Sequence, residues 1–162
     1  MIAEIKQIEK GLLAHIEREL NHPIENVWAM LTDNRLLKKW FEELRVGKLQ
    51  KGGFMNFYIQ DVMDEELKIT ELKMFSVLAF DWFGDEVRFE FHSKPNGCVL
   101  VFEEKINTLT EQTKKDITGW HVCLDVIQAL LDGKPINRRT EWEKWYEKYT
   151  QVIDGLTGSG DK

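Results

Sequence analysis

Apolar and polar positions alternate over residues 12–20, where Leu12, Ala14 and Ile16 share one face and His15, Glu17 and Glu19 the other. A two-residue period predicts a half-buried strand. Arg18 falls in phase with the apolar set, so it either snorkels at the strand end or points into something polar. The period then changes. Pro23 suits the first position of a helix, Glu25 suits its anion-favouring first turn, and Ile24, Val27, Trp28 and Leu31 recur at helical spacing. Thr32-Asp33-Asn34 breaks this helix and can cap a second, short one over 35–41, with Leu36, Leu37, Trp40 and Phe41 as its apolar residues.

Strand signals follow in series. Lys51-Gly52-Gly53 is a turn before a strand over 54–59, and 67–75 reads as a strand of mixed polarity. A strand over 77–83 ends at Gly84-Asp85, a hairpin candidate. Residues 86–92 alternate cleanly, with Val87, Phe89 and Phe91 on one side and Glu86, Arg88, Glu90 and His92 on the other. Asn96-Gly97 is a strong hairpin signal and leads into a strand over 98–106.

A long helix comes next, opened by Thr108 with Glu111 as a capping box or by Thr110, and stopped by Gly133 and Pro135. Trp120, Cys123, Leu124, Ile127, Leu130 and Leu131 make one stripe, which Val122, Val126 and Ala129 widen. Only His121, Asp125, Gln128 and Asp132 form a polar edge, so the apolar arc is wider than a helix lying on one flat sheet needs. A last helix over 140–153 carries a narrow stripe of Trp142, Trp145, Tyr146, Tyr149 and Ile153. The order of elements predicts an α+β fold: a curved antiparallel sheet gripping a long C-terminal helix, with two short helices after the first strand. Residues 1–154 are expected to form a single domain and 155–162 a disordered tail. The leftover apolar arc then borders either an internal cavity or the last helix.

The composition narrows the function. The chain has 162 residues, 43% hydrophobic and 11% aromatic, with six tryptophans and nine phenylalanines, enough for a sizeable core. A net charge of -6, with both signs interspersed, argues against binding to nucleic acid or anionic membranes. Lys134, Arg138 and Arg139 form a local basic patch that reads as a solvated loop. Cys98 and Cys123 have no metal or redox spacing, the N-terminus is too charged for a signal peptide, and no apolar run spans a bilayer. A cytoplasmic, reduced location is expected.

Three stretches carry a family resemblance. Asn21-His-Pro-Ile-Glu-Asn-Val-Trp-Ala-Met-Leu-Thr-Asp33, with Trp40 following, is similar to the opening of the helix-grip superfamily of START-related and birch-pollen-allergen-like proteins, often called SRPBCC. Val77-Leu-Ala-Phe-Asp-Trp82 through Val87-Arg-Phe-Glu-Phe91 resembles its central hairpin, and Gly119-Trp-His-Val-Cys-Leu124 its C-terminal helix. Within the superfamily the chain resembles the bacterial branch homologous to the C-terminal domain of the activator of the heat-shock chaperone ATPase. The resemblance implies a hydrophobic cavity between sheet and helix, in which many relatives bind lipids or other apolar molecules.

The candidate cavity residues are Trp40, Phe41, Met55, Phe57, Met63, Phe80, Trp82, Phe89, Phe91, Leu100, Phe102, Trp120, Cys123, Leu124 and Ile127. An apolar pocket with few polar groups suits a flat or lipid-like ligand. His15, His22, His92 and His121 have no partners at metal or nucleophile–base spacing and read as surface residues. Asp81 and Glu104 interrupt apolar strands; buried, either would be a candidate acid or base, but both are expected to face solvent. Arg18 is expected in a surface salt bridge, and an inward pair of Arg18 with Glu104 would favour an enzyme. No catalytic residue, metal or cofactor is expected. The first expectation is therefore a binder of an apolar or lipid-like small molecule, the second a chaperone-linked protein-interaction module, the third a cyclase or hydrolase. The stripe from Trp142 to Tyr149 is expected to pack back on the fold. The sequence leaves oligomeric state open.

Overall fold

Each alternating segment becomes a strand of one continuous sheet. The computed structural model describes residues 1–158. Its strands are β1 (Glu4–Ile8), β2 (Gly11–Leu20), β3 (Leu44–Lys48), β4 (Phe54–Ile59), β5 (Met63–Lys73), β6 (Val77–Trp82), β7 (Asp85–Lys94) and β8 (Gly97–Ile106). They lie in the order β1-β2-β8-β7-β6-β5-β4-β3, every neighbouring pair antiparallel. β5 pairs with β4 through residues 63–68 and with β6 through 69–73, with a register shift between Ile69 and Glu71. Such an irregularity bends and twists a strand, which helps the sheet curl. β2 approaches β8 closely enough at both ends to require glycine. A Cβ on Gly11 would meet the Ile106 carbonyl oxygen at 1.8 Å, and one on Gly97 the Leu20 carbonyl oxygen at 2.0 Å.

The helices are α1 (Ile24–Thr32), α2 (Asn34–Leu37), α3 (Glu111–Asp132) and α4 (Arg138–Gly158). None among the described residues is long and apolar enough to cross a membrane. The short second helix ends at Leu37 rather than 41, and turns bring Trp40 back so that its Nε1 donates to the Met30 carbonyl at 2.7 Å. Thr110, not Thr108, caps α3: its hydroxyl accepts from Gln112 N–H, and Thr113 Oγ1 accepts from Thr110 N–H. Strands β1 and β3 lie at the two sheet edges and were not legible as alternation, because each buries few side chains. The last helix runs past 153, so the expectation of a disordered tail fails for 155–158. Ile153 is buried, Leu156 packs against the core, and Asp154 pairs with Lys114 of α3 at 2.8 Å. Residues 159–162 lie outside the described residues.

The wide apolar arc of α3 is covered from two sides. The sheet takes Ile117, Trp120, Leu124 and Ile127 into its core, and α4 packs along the helix with Trp145, Tyr149 and Ile153 buried. Leu130, at the end of the stripe, is exposed. His121, expected on a polar surface edge, is 0% exposed. The approach of α4 shuts it in, with its ring 4.0 Å from that of Trp145.

Arg18, expected at the surface, is also buried, and the two belong to one network. Arg18 Nη2 pairs with Asp125 Oδ1 at 2.9 Å, and Asp125 Oδ2 lies 3.3 Å from His121 Nε2. Tyr149 hydroxyl accepts from Ala3 N–H at 2.8 Å and sits 2.6 Å from His121 Nδ1. The hydroxyl and Nδ1 share one hydrogen bond, and Nε2 lies between Asp125 Oδ2 and Arg18 Nη2, 3.3 Å from each. Five groups from β2, α3, α4 and the N-terminal segment thus satisfy one another along one seam. Burial pushes His121 below its usual pKa, against the pull of Asp125. Burial also works to raise Asp125, but His121 and Arg18 outweigh it and hold the carboxyl low.

Removing the hydroxyl leaves two buried groups short of a partner. Tyr149→Phe is expected to lose about 1–3 kcal/mol of unfolding free energy in urea titrations; an unchanged midpoint would contradict the network. The neutral His121 gives a pH dependence of known sign. The unfolded chain protonates this ring near 6.5 and the fold only at lower pH, so its contribution is complete above 6.5 and is lost as pH falls through the folded value. The Asp125 carboxylate, the Arg18 guanidinium, the Tyr149 hydroxyl and the N-terminal amino group all face it. In NMR titration of the histidine rings, His121 is expected to titrate below 6.5. A midpoint above 6.5 would be incompatible with this burial.

Candidate functional site

Asp116, Gly119, Trp120 and Cys123 recur at three- and four-residue steps and share one face of α3. Opposite them stand Trp82 at the end of β6, Phe41 from the turn after α2, and Arg138 and Trp142 from the start of α4. Together with Lys115 they line a cleft of about 290 Å³. Rings form most of its wall. Trp82 and Trp120 lie 4.9 Å apart, Phe41 and Trp120 5.4 Å, and Phe41 and Trp82 5.8 Å, all in edge-to-face contact.

Polar groups close the rim. Arg138 donates from Nη1 to the Trp40 carbonyl at 2.6 Å and from Nη2 to Cys123 Sγ at 3.1 Å, which ties α4 to the turn after α2. Burial pushes the Cys123 thiol up to about 11 against the opposing pull of Arg138, so it stays protonated and is no nucleophile at neutral pH. Burial also raises Asp116, while Gln112, donating to Oδ1 at 3.0 Å, works against the rise. Trp82 Nε1 is buried and faces Asp116 without completing a hydrogen bond.

Four of the expected cavity residues, Phe41, Trp82, Trp120 and Cys123, meet at this cleft. The structure does not gather the rest around one internal space. Phe80, Phe89 and Phe102 are about 1% exposed and run in ring contact into Trp120. Trp40, Met55, Leu100, Leu124 and Ile127 are equally enclosed in the core. Phe91 packs on Trp28, Phe57 is half-buried against Phe41 and Trp82, and Met63 is exposed at the start of β5. Gly119, Lys115, Asp116, Arg138 and Trp142 were missed. The signal for the first and third lay in their spacing from Trp120 and Cys123.

The remaining chemistry is dispersed. His15 sits between Glu103 and Glu17, His22 on Asp132, and His92 on Glu90. Asp81 faces solvent as expected. Glu104 does not: it is 0% exposed, because it lies in phase with Cys98, Leu100, Phe102 and Ile106 on the inner face of β8. Burial, with Asp116 and Asp85 nearby, holds its carboxyl well above the usual carboxylate range. Arg18 and Glu104 both point inward but are not partners, since Arg18 pairs with Asp125. The pair that would favour an enzyme is therefore not formed. Trp145 and Tyr149 are buried, and Trp142 and Tyr146 stack half-buried at 4.7 Å, so the aromatic stripe of α4 packs back on the fold. Two depressions are larger: one of about 530 Å³ where Met1, Ile2 and Ile16 join Arg18, Glu19 and Gln128, and one of about 450 Å³ around Asn21, Glu25 and Lys94; no aromatic ring lines either apart from His15 and His22.

The arrangement has known counterparts. The conserved protein of unknown function EF2215 from Enterococcus faecalis superposes with a TM-score of 0.79 at 24% identity, over 93% of this chain and 91% of that one. CalU16 from Micromonospora echinospora gives 0.70 at 21% identity, over 93% and 95%. The AHSA1-like protein from Aeromonas hydrophila gives 0.59 at 21% identity, over 75% and 92%. At these identities the likeness establishes the helix-grip fold alone. No curated protein matches the chain. Residues 21–132, from the turn before α1 to the end of α3, match the family described as activator of Hsp90 ATPase homolog 1-like protein. The chain belongs to that family.

Proposed function

We propose that this protein binds a small, flat, largely apolar molecule in the cleft walled by Phe41, Trp82, Trp120 and Trp142. The observation that carries the reading is Gly119. Glycine inside a helix costs about 1 kcal/mol relative to alanine, and Gly119 sits near the middle of α3 with no positive φ to require it. A Cβ at that position would meet nothing within 4 Å. The missing side chain therefore serves no close backbone approach, and the space it leaves belongs to the cleft.

The size and chemistry of the cleft narrow the ligand class. Its volume of about 290 Å³ lies at the lower edge of small-molecule sites. That favours a molecule of one or two rings over a long acyl chain. Aromatic edges and faces suit a planar apolar body, and Asp116 offers an acceptor for one polar substituent. Arg138 is already engaged with Trp40 and Cys123, so it shapes the wall rather than supplying a free anion anchor.

Two substitutions at one position test this. Gly119→Ala is expected to raise unfolding free energy by up to about 1 kcal/mol. Gly119→Leu should keep the fold by circular dichroism while filling the cleft. Native mass spectrometry with solvent extraction, and thermal shifts across a panel of small aromatic compounds, read occupancy. The wild type is expected to retain or take up a ligand that the leucine variant rejects. A clean apo mass with no shift across the panel, or equal binding by the leucine variant, would overturn the proposal.

A further inference from the structure

Glu104 has a second peculiarity besides its burial. Neither of its carboxylate oxygens has a hydrogen-bond partner. A buried carboxylate is normally paired, hydrogen-bonded or bound to a metal. Two more carboxyls converge on it from distant parts of the chain, Asp85 at the start of β7 and Asp116 in α3, and one oxygen from each of the three lies within 4.8 Å of the others. Asp85 accepts from Asn107 N–H at 2.9 Å through Oδ1, and Asp116 accepts from Gln112 through Oδ1. Glu104 keeps both oxygens unpartnered. Burial raises all three carboxyls, and the neighbouring acids add to the rise at Glu104 and Asp116.

We propose that Asp85, Glu104 and Asp116 form a binding site for a divalent cation of calcium size. All the donors are oxygen, which selects hard cations over zinc or copper. Two oxygens bound to one calcium ion at about 2.3–2.6 Å lie no more than about 5 Å apart. The cluster already falls within that span. Magnesium, with bonds of about 2.0–2.1 Å and a rigid octahedron, holds its ligands closer and fits less well. Asp85 and Asp116 are only half-buried, leaving room for water ligands, and Asp85 opens onto a surface depression of about 440 Å³ with Gly84, Lys105 and Asn107. Such an ion would supply the positive charge that Glu104 lacks and would clamp the turn between β6 and β7, the end of β8 and the first half of α3. The site shares Asp116 with the cleft but does not need the cleft to be occupied.

The test uses the full chain, freed of metals with a chelator and titrated with calcium chloride. Calorimetry is expected to show binding at one site per chain, and the thermal midpoint should rise with calcium more than with magnesium. Terbium, which takes the same oxygen ligands, should luminesce when Trp82 beside Asp116 is excited. Glu104→Gln removes the ionisable carboxyl while keeping the shape of the side chain, so it should fold. Both it and Asp116→Asn, each verified folded by circular dichroism, should weaken calcium binding by about tenfold or more. The proposal fails if millimolar calcium gives neither heat nor a thermal shift, or if the folded glutamine variant binds as the wild type does. In that case the three carboxyls are held together by shared protons.

Discussion

Helix α3 must be buried on two sides at once, and the rest of the molecule is arranged around that demand. Its enclosed residues include Ile117, Trp120, Val122, Cys123, Leu124, Val126 and Ile127, which together cover well over half its circumference. A flat sheet could cover only part of such an arc. The sheet therefore bends across β5 and presents Phe80, Phe89, Leu100 and Phe102 around the helix, while α4 closes the other flank with Trp145, Tyr149 and Ile153. This two-sided cover makes His121 and Asp125, the polar edge of the helix, an internal seam. Arg18 from β2 and Tyr149 from α4 then satisfy polar groups that would otherwise be stranded, and Ala3 is drawn in beside them.

The cleft follows from the same geometry. Trp120 touches Phe41, Trp82, Phe89 and Phe102, so one indole joins the deep core to the open end of the grip. Inward of that ring Phe89 and Phe102 pack against it, and outward of it Gly119 contributes no side chain and α4 begins. Arg138 holds that beginning in place by donating to a backbone carbonyl and a thiol rather than to a carboxylate. The cleft is thus bordered by structural contacts that persist without a ligand, as a pre-formed site requires.

Most of the fold could be read from side-chain period, because β2, β7 and β8 bury one face cleanly and α3 buries nearly everything that is apolar. What escaped had a consistent cause. Edge strands β1 and β3 bury too few residues to leave a pattern. Arg18 and Glu104 stood in phase with inward residues, and in both cases the period was the better guide than the side chain's usual preference for water. His121 was out of phase with the main stripe, and only the position of α4, a long-range fact, put it inside. The expected cavity residues are apolar, and most of them are buried, though Met63 is exposed. Whether inward side chains meet one another or a space depends on packing, to which pattern is blind.

Asp116 is where the two proposed sites touch, and the contact has a chemical consequence. It lines the cleft and also belongs to the cluster with Glu104 and Asp85. A cation held by the three acids would favour the ionised form of Asp116 and orient its free electron pairs toward the metal, so the cleft would present a better-ordered but less available acceptor. Without the cation, the cluster favours protonation, because burial and neighbouring carboxyls both disfavour charge. A protonated Asp116 can donate as well as accept. The polar substituent that the cleft prefers, donor or acceptor, would then depend on what the buried acids hold, and Glu104, which never reaches the cleft, would set that preference from inside the sheet.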